Sequence, residues 1–259
     1  MTAFTPLSSN LIKKYSKLKQ KKFRDDFSLC IAEGRKICEE VLNSDYDIEA
    51  LIFDSGSNRQ ESENLINGFL KANIPIYDCD SVSFNKIADS KSPQNTIAIV
   101  KTKDREVVFN ADKYICLEKI SDPGNLGTII RTGIWFGIEN FCLSTDSVDC
   151  FNPKVIRSTM GAVFNAKISY FDDIYHGFLN RIPNLKSFGA SLDADKLIGE
   201  ISIPTKFALV FGNEADGLSD EFESKLDEKY LIPGSGEAES LNLAVSAGIS
   251  IYHFCNCKK

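Results

Sequence analysis

Short apolar runs alternate with longer segments of helical period along almost the whole chain. Leu-Cys-Ile-Ala-Glu at 29–33 reads as a strand, and 34–42 then places Ile37, Val41 and Leu42 at helical spacing. Further strands are predicted over 50–53, 75–77 and 96–100, with a helix over 61–72 and a turn cluster, Asp-Ser-Gly-Ser-Asn, at 54–58. The second half repeats the alternation. Strands are expected over 114–117, 141–143, 166–170, 186–190, 207–211 and 229–232, and helices over 127–136, 152–160, 174–182 and 243–255. Strand–helix alternation favours an α/β fold, with a mainly parallel sheet covered on both faces in the second half. The charged, turn-like stretch Thr-Lys-Asp-Arg-Glu at 102–106 marks a linker, so domains are expected at 1–103 and 104–259.

Size supports that division, since 259 residues suffice for two domains and a 43% hydrophobic fraction suffices for their cores. A net charge of −6 shows no global attraction to nucleic acid, which leaves any such role to a local basic patch. One candidate exists between residues 11 and 24, where Lys13, Lys14, Lys17, Lys19, Lys21, Lys22 and Arg24 occur without an acid, interleaved with Tyr15 and Phe23. A solvated helix face and a phosphate-contacting surface both fit that composition. No apolar run reaches the length of a membrane span, and the first ten residues lack an apolar signal core. Eight cysteines occur without a Cys-x-x-Cys pair, and Cys30, Cys38, Cys79, Cys116, Cys142 and Cys150 mostly lie within or beside apolar segments. Reduced thiols in a cytoplasm are the expectation. With two histidines, neither at ligand spacing to the cysteines, no metal site is expected.

Candidate chemistry gathers in three segments of one design, a short apolar run entering a glycine-bearing loop that opens a helix. They are Ser121-Asp-Pro-Gly-Asn-Leu-Gly-Thr-Ile-Ile-Arg131, Val210-Phe-Gly-Asn-Glu-Ala-Asp-Gly-Leu-Ser219 and Leu231-Ile-Pro-Gly-Ser-Gly-Glu-Ala-Glu-Ser-Leu-Asn242. The first lacks the Gly-Lys-Ser/Thr of a P-loop and the Gly-x-Gly-x-x-Gly of a dinucleotide fold. Ser240 has no Gly-x-Ser-x-Gly elbow, and His176 and His253 lie outside any motif, so a Ser–His–Asp triad is unsupported. Asn125 reads either as a helix cap with Arg131 as a surface ion-pair partner, or as part of a site. Glu214, just beyond a strand end where open α/β sheets bind ligands, carries the same two readings.

Together the segments resemble the SpoU (TrmH-like) RNA 2′-O-ribose methyltransferases of the SPOUT class. Asn125-Leu-Gly-Thr-Ile-Ile-Arg131-Thr132 fits the first family motif, Gly212-Asn-Glu214-Ala-Asp-Gly217 the second, and Ile232-Pro233 with Ser240-Leu-Asn242 the third. The similarity runs from about residue 111 to 254. More loosely, Ala32-Glu33-Gly34 and Ser92-Pro-Gln-Asn95 look like the family's auxiliary substrate-binding domain. The resemblance implies a SPOUT-type knotted parallel-sheet catalytic domain preceded by a small α/β substrate-binding domain. It implies an S-adenosyl-L-methionine (AdoMet)-dependent enzyme that methylates a ribose 2′-hydroxyl of RNA, ribosomal RNA (rRNA) before tRNA, and acts as a homodimer. By the same carry-over, the backbone at Gly212, Ile232 and Leu241 would cradle AdoMet. Arg131 would help deprotonate or orient the ribose hydroxyl, and Asn125, Glu214, Ser240 and Asn242 would order the loop and substrate. Relatives continue the third motif with Val-Ser-Val-Ala, whereas this chain reads Leu243-Ala-Val-Ser-Ala-Gly248, a change that keeps the small residues. A tRNA methylase, a base-nitrogen methylase and a non-catalytic RNA-binding or ribosome-assembly protein of the same fold are the alternatives.

Overall fold

A computed structural model describes residues 4–103 and 106–256, which form two compact units. The first comprises residues 1–103 together with 149–164, and the second comprises 104–148 and 165–259. The inserted segment 149–164 corrects the expected boundary, which assigned it to the second domain. Part of the predicted linker, residues 104 and 105, lies outside the described residues, as does Cys257.

In the first unit, strands Thr5–Pro6 (β1), Leu29–Glu33 (β2), Ile48–Asp54 (β3), Ile76–Cys79 (β4) and Thr96–Lys101 (β5) form a sheet of order β1-β4-β3-β5-β2. β5 runs antiparallel to both β2 and β3, pairing Ile31 with Ile99 and Ile52 with Ile97. Helices Ser9–Ser16 (α1), Lys21–Phe27 (α2), Arg35–Leu42 (α3), Glu63–Lys71 (α4) and Ser81–Ile87 (α5) accompany the sheet. Ser8 caps α1 through the Leu11 N–H, and Asp80 caps α5 through the Ser83 N–H. Tyr15 and Leu18 from the amino-terminal segment pack with Phe84, Ile87, Ile97 and Ile99 in one core cluster. α5 was not anticipated; its signals are the Asp80 cap and the three-residue spacing of Phe84 and Ile87.

A buried ion pair ties segment 149–164 to this unit. Arg24, 3% exposed, donates through Nε (2.9 Å) and Nη2 (2.6 Å) to Asp149 Oδ2, and through Nη1 to the carbonyls of Leu18 (2.9 Å) and Lys19 (3.0 Å). Tyr46 adds edge-on contacts to Phe151 and Phe164, with centroids 6.2 and 5.1 Å away. The basic run is therefore not one solvated helix. It bends at a 3-10 turn, Lys17–Lys19, and its last cation is a core residue.

The second unit contains strands Lys113–Leu117 (β6), Asn140–Ser144 (β7), Lys167–Phe171 (β8), Lys186–Ala190 (β9), Phe207–Phe211 (β10) and Glu228–Tyr230 (β11). All pair in parallel, in the order β11-β9-β10-β6-β7-β8. The fully buried run Phe-Ala-Leu-Val-Phe of β10 is what a central parallel strand covered on both faces requires. Its helices are Pro123–Trp135 (α6), Ile174–Gly177 (α8), Asp220–Glu223 (α9) and Leu243–Asn256 (α10); Pro153–Thr159 (α7) belongs to the inserted segment. Gly133 lets α6 lie close on the sheet, since a Cβ there would stand 2.7 Å from Phe141 and 2.9 Å from Ile115. α10 packs against α6 and sends Phe254 among Phe188, Phe207 and Tyr230, with ring centroids at 5.0, 5.3 and 5.6 Å.

From β6 the chain winds outward through β7 to β8, then returns to place β10 and β9 on the other side of β6. The strand order reverses between β6 and β10, and a crevice at the carboxyl ends of such strands is the general ligand position in open α/β sheets. The Glu118 N–H bonds the Phe211 carbonyl at 2.9 Å, holding those two ends together.

Candidate active site

The loops leaving β6 and β10 carry the first two motif segments. Helix α6 starts at Pro123, four residues before the expected start, because Asp122 is its N-cap and proline suits its first turn. Asp122 Oδ1 accepts from the Asn125 N–H at 2.8 Å. Asn125 is thus an early helical residue and not the cap, which leaves its side chain free for another task.

That task is a directed chain of hydrogen bonds. Asn242 Oδ1 accepts from the Ala244 N–H (2.9 Å) at the start of α10, so its amide nitrogen must point the other way, and it donates to Asn125 Oδ1 (3.1 Å). With its oxygen so engaged, Asn125 donates through Nδ2 to Glu214 Oε1 at 3.1 Å. Glu214 also accepts from the Asp122 N–H (3.1 Å), Ser121 Oγ (3.1 Å) and the Ser121 N–H (3.5 Å). Partial burial pushes its pKa up, but the bonds from Asn125, its own backbone, Asp122 and Ser121 outweigh that and hold it below the ordinary glutamate range. The three motif segments are therefore joined by an anionic acceptor and two amides of enforced orientation. Glu214 does not cap α9, which Ser219 caps through the Phe222 N–H.

Gly212 also has a role within its own loop. A Cβ there would lie 2.1 Å from the Gly217 carbonyl carbon and oxygen and 2.2 Å from the Leu218 nitrogen. The residue is small because the following loop closes on it, with Asn213 N–H to Gly217 O at 2.8 Å and Gly217 N–H to Asn213 O at 3.0 Å. Asn213 locks the loop further, donating to the Lys119 carbonyl (2.9 Å) and accepting from the Ala215 N–H (2.8 Å).

Arg131 lies on α6, nearly two turns beyond Asn125, exposed and with no carboxylate partner among the described residues. The surface ion pair considered for it does not form there. Ile232, Ser240 and Leu241 lie between β11 and α10, and no hydrogen bond among the described residues joins them to the Asn242–Asn125–Glu214 chain. Leu241 is 48% exposed, and the backbone of 232–241 makes no backbone–backbone hydrogen bond among the described residues. Ser121, Asp122 and Asn213 are the participants that sequence reasoning passed over. Asp-Pro before a periodic apolar run was the available signal for the first helix turn.

Residues 112–252 match the SpoU rRNA methylase family. The chain belongs to the SpoU rRNA methylase family. Residues 9–98 match the MRM3-like substrate binding domain, in line with the looser amino-terminal signals. Among relatives of this SpoU chain, the 23S rRNA (guanosine(2553)-2′-O)-methyltransferase RlmP of Bacillus subtilis is 31% identical over 248 residues, covering 93% of this chain and 94% of its own length. Among solved structures, an AdoMet-bound rRNA methyltransferase from Sinorhizobium meliloti matches with a TM-score of 0.81 at 26% identity, covering 96% of this chain and 95% of that one. A putative RNA methyltransferase of the TrmH family from Porphyromonas gingivalis matches at 28% identity and a TM-score of 0.80, covering 96% and 98%.

Proposed function

We propose that this SpoU-family chain transfers a methyl group from AdoMet to a ribose 2′-hydroxyl of ribosomal RNA. The observation that carries the reading is the Asn242–Asn125–Glu214 chain, which joins all three motif segments where the strand order reverses. The residues fit the cofactor. The main-chain groups of 232–241, which make no backbone–backbone hydrogen bond among the described residues, and the half-exposed Leu241 among them offer a polar edge and an apolar wall of the kind a nucleoside needs. Bound AdoMet supplies a methyl already activated on a sulfonium, so the protein's task is alignment of a weak nucleophile and support of its charge.

In this reading Gly212, Ile232 and Leu241 form the cofactor side. Glu214, Asn125 and Asn242 hold the loops, and Ser240 meets the substrate. Arg131, exposed and without a carboxylate partner among the described residues, orients the ribose hydroxyl or an adjoining phosphate. The domain division at 103/104, with 149–164 returned to the substrate unit, belongs to the same reading. So does a trefoil knot in the catalytic unit, supported by the return of the chain from edge strand β11 to α10 against α6.

We read the assembly as a homodimer. Val245, Ile249 and Tyr252 form an i, i+4, i+7 stripe on α10, 50%, 38% and 59% exposed, while Trp135 on α6 is 83% exposed. A cytoplasmic location is supported by the thiols of the described cysteines, which form no disulfide with one another; no helix of the described residues is long and apolar enough to cross a membrane. The test is to map 2′-O-methyl positions in rRNA and tRNA from parent and deletion strains. Loss of an rRNA position supports the reading, loss confined to tRNA redirects it to tRNA, and an unchanged map refutes it.

A further inference from the structure

Resting on the RNA reading above, we infer that the exposed face of α1 and α2 is a contact site for single-stranded RNA, with Phe23 and Phe27 receiving an unpaired base and Lys13, Lys17 and Lys22 the flanking phosphates. The two rings stack with centroids 6.1 Å apart and planes at 22°. Phe27 is 37% exposed, although a phenylalanine on a short helix ordinarily turns inward, and Phe23 is half-buried beside it. Lys17 Nζ stands 5.0 Å from the Phe23 ring centroid, and Lys14 Nζ stands 5.8 Å from that of Phe27. Ammonium groups held over aromatic faces sit where a nucleotide would bring both a base and a phosphate.

The charges sort themselves into structural and free. Arg24 is spent on Asp149, Lys14 bonds Glu49 at 2.9 Å, and Lys21 bonds Asp25 at 3.1 Å. Lys13, Lys17, Lys19 and Lys22 have no carboxylate partner among the described residues, against Asp26 as the one acid of residues 11–27 without a cation partner there. Lys13 and Lys17 are one helical turn apart, so their heads can address successive phosphates. An acidic peptide would satisfy the lysines and leave the exposed part of Phe27 without a planar ligand group. RNA with an unstacked base satisfies both, which is why this ligand class is preferred.

The experiment uses the full chain and a fluorescein-labelled 12-nucleotide oligouridylate, with anisotropy read between 50 and 200 mM KCl. Each phosphate contact removed lowers the slope of log K against log salt by about 0.7, so Lys13→Gln/Lys17→Gln/Lys22→Gln is expected to flatten it by about 2. Phe27→Leu keeps apolar bulk but removes the ring; it is expected to weaken binding about 5-fold or more, within the range of one lost base stack, at unchanged slope. Exposed Lys71 on α4 is the control, and Lys71→Gln is expected to behave as the parent. The proposal is overturned if the parent fails to bind at 50 mM salt, if the triple variant keeps the parental slope, if Phe27→Leu binds as the parent, or if Lys71→Gln flattens the slope as much as the triple variant does. Methyl transfer by the parent to rRNA is measured in parallel. A parent that methylates, with variants indistinguishable from it, removes this surface alone. A parent that never methylates, yet shows the lysine-dependent slope, removes the enzymatic reading and leaves the surface standing.

Discussion

Replacing Gly212 by alanine separates two explanations of why that glycine is there. If the cofactor alone demanded the space, the cofactor-free protein would tolerate a methyl group. The structure says otherwise, since the new Cβ would lie 2.1 Å from the Gly217 carbonyl group and 2.2 Å from the Leu218 nitrogen, all of it backbone. The loop must open, breaking the two backbone bonds between Asn213 and Gly217 and carrying Glu214 away from Ser121, Asp122 and Asn125. At about 1 kcal/mol per intramolecular hydrogen bond, the two backbone bonds alone amount to about 2 kcal/mol. For a protein of this size that lowers Tm by about 4–8 °C. The assay is thermal unfolding of Gly212→Ala and parent without AdoMet, followed by calorimetric titration of AdoMet into each. The expected result is a destabilised free protein with weakened cofactor binding. A free protein melting with the parent, with only AdoMet affinity lost, would refute the loop-closure argument and return Gly212 to direct cofactor contact.

Arg131→Ala is expected to abolish methyl transfer while AdoMet affinity, read by calorimetry, stays within a few-fold of the parent; parental turnover would take Arg131 out of the mechanism. Asp149→Ala leaves the buried Arg24 guanidinium unpaired, and urea unfolding is expected to show a loss of about 3–5 kcal/mol. Replacing both partners, as Arg24→Met/Asp149→Leu, is expected to cost less than the single change. The Glu214 carboxyl is held below its ordinary range in the folded state, so its contribution to stability is complete above the unfolded-state value and disappears as pH falls through the folded-state one. The Tm difference between parent and Glu214→Gln is therefore expected to be constant near neutrality and to shrink as pH drops below about 4; a difference that grows on acidification would contradict the assigned bonds.

The elements that could be read from sequence were those whose pattern is local. β9 and β10 occupy the expected residues, and α10 ends one residue beyond its predicted end; in β10 the continuous apolar run Phe-Ala-Leu-Val-Phe leaves little choice. The start of α6 was misjudged because Gly124 and Gly127 suggest a loop, whereas Asp122 and Pro123 together make a first helical turn. The motif spacing pointed to Asn125, Glu214 and Asn242, and the structure joins them by hydrogen bonds. Their directions could not be seen, since they depend on the Ala244 N–H claiming one end of Asn242. Least legible was the attachment of 149–164 to the first unit. It rests on a pair 125 residues apart in the chain, and nothing near Arg24 distinguishes it from the six lysines around it.

The most direct test of the central claim is the chemical position of the transferred methyl. Purified protein is incubated with methyl-tritiated AdoMet and unmodified rRNA transcript, and the RNA is hydrolysed in alkali. A methyl on the ribose 2′-oxygen blocks cleavage at the adjoining phosphodiester, so the account predicts tritium in an alkali-resistant dinucleotide, absent when Arg131→Ala replaces the parent. Tritium recovered in a single mononucleotide would place the methyl on a base and contradict the account.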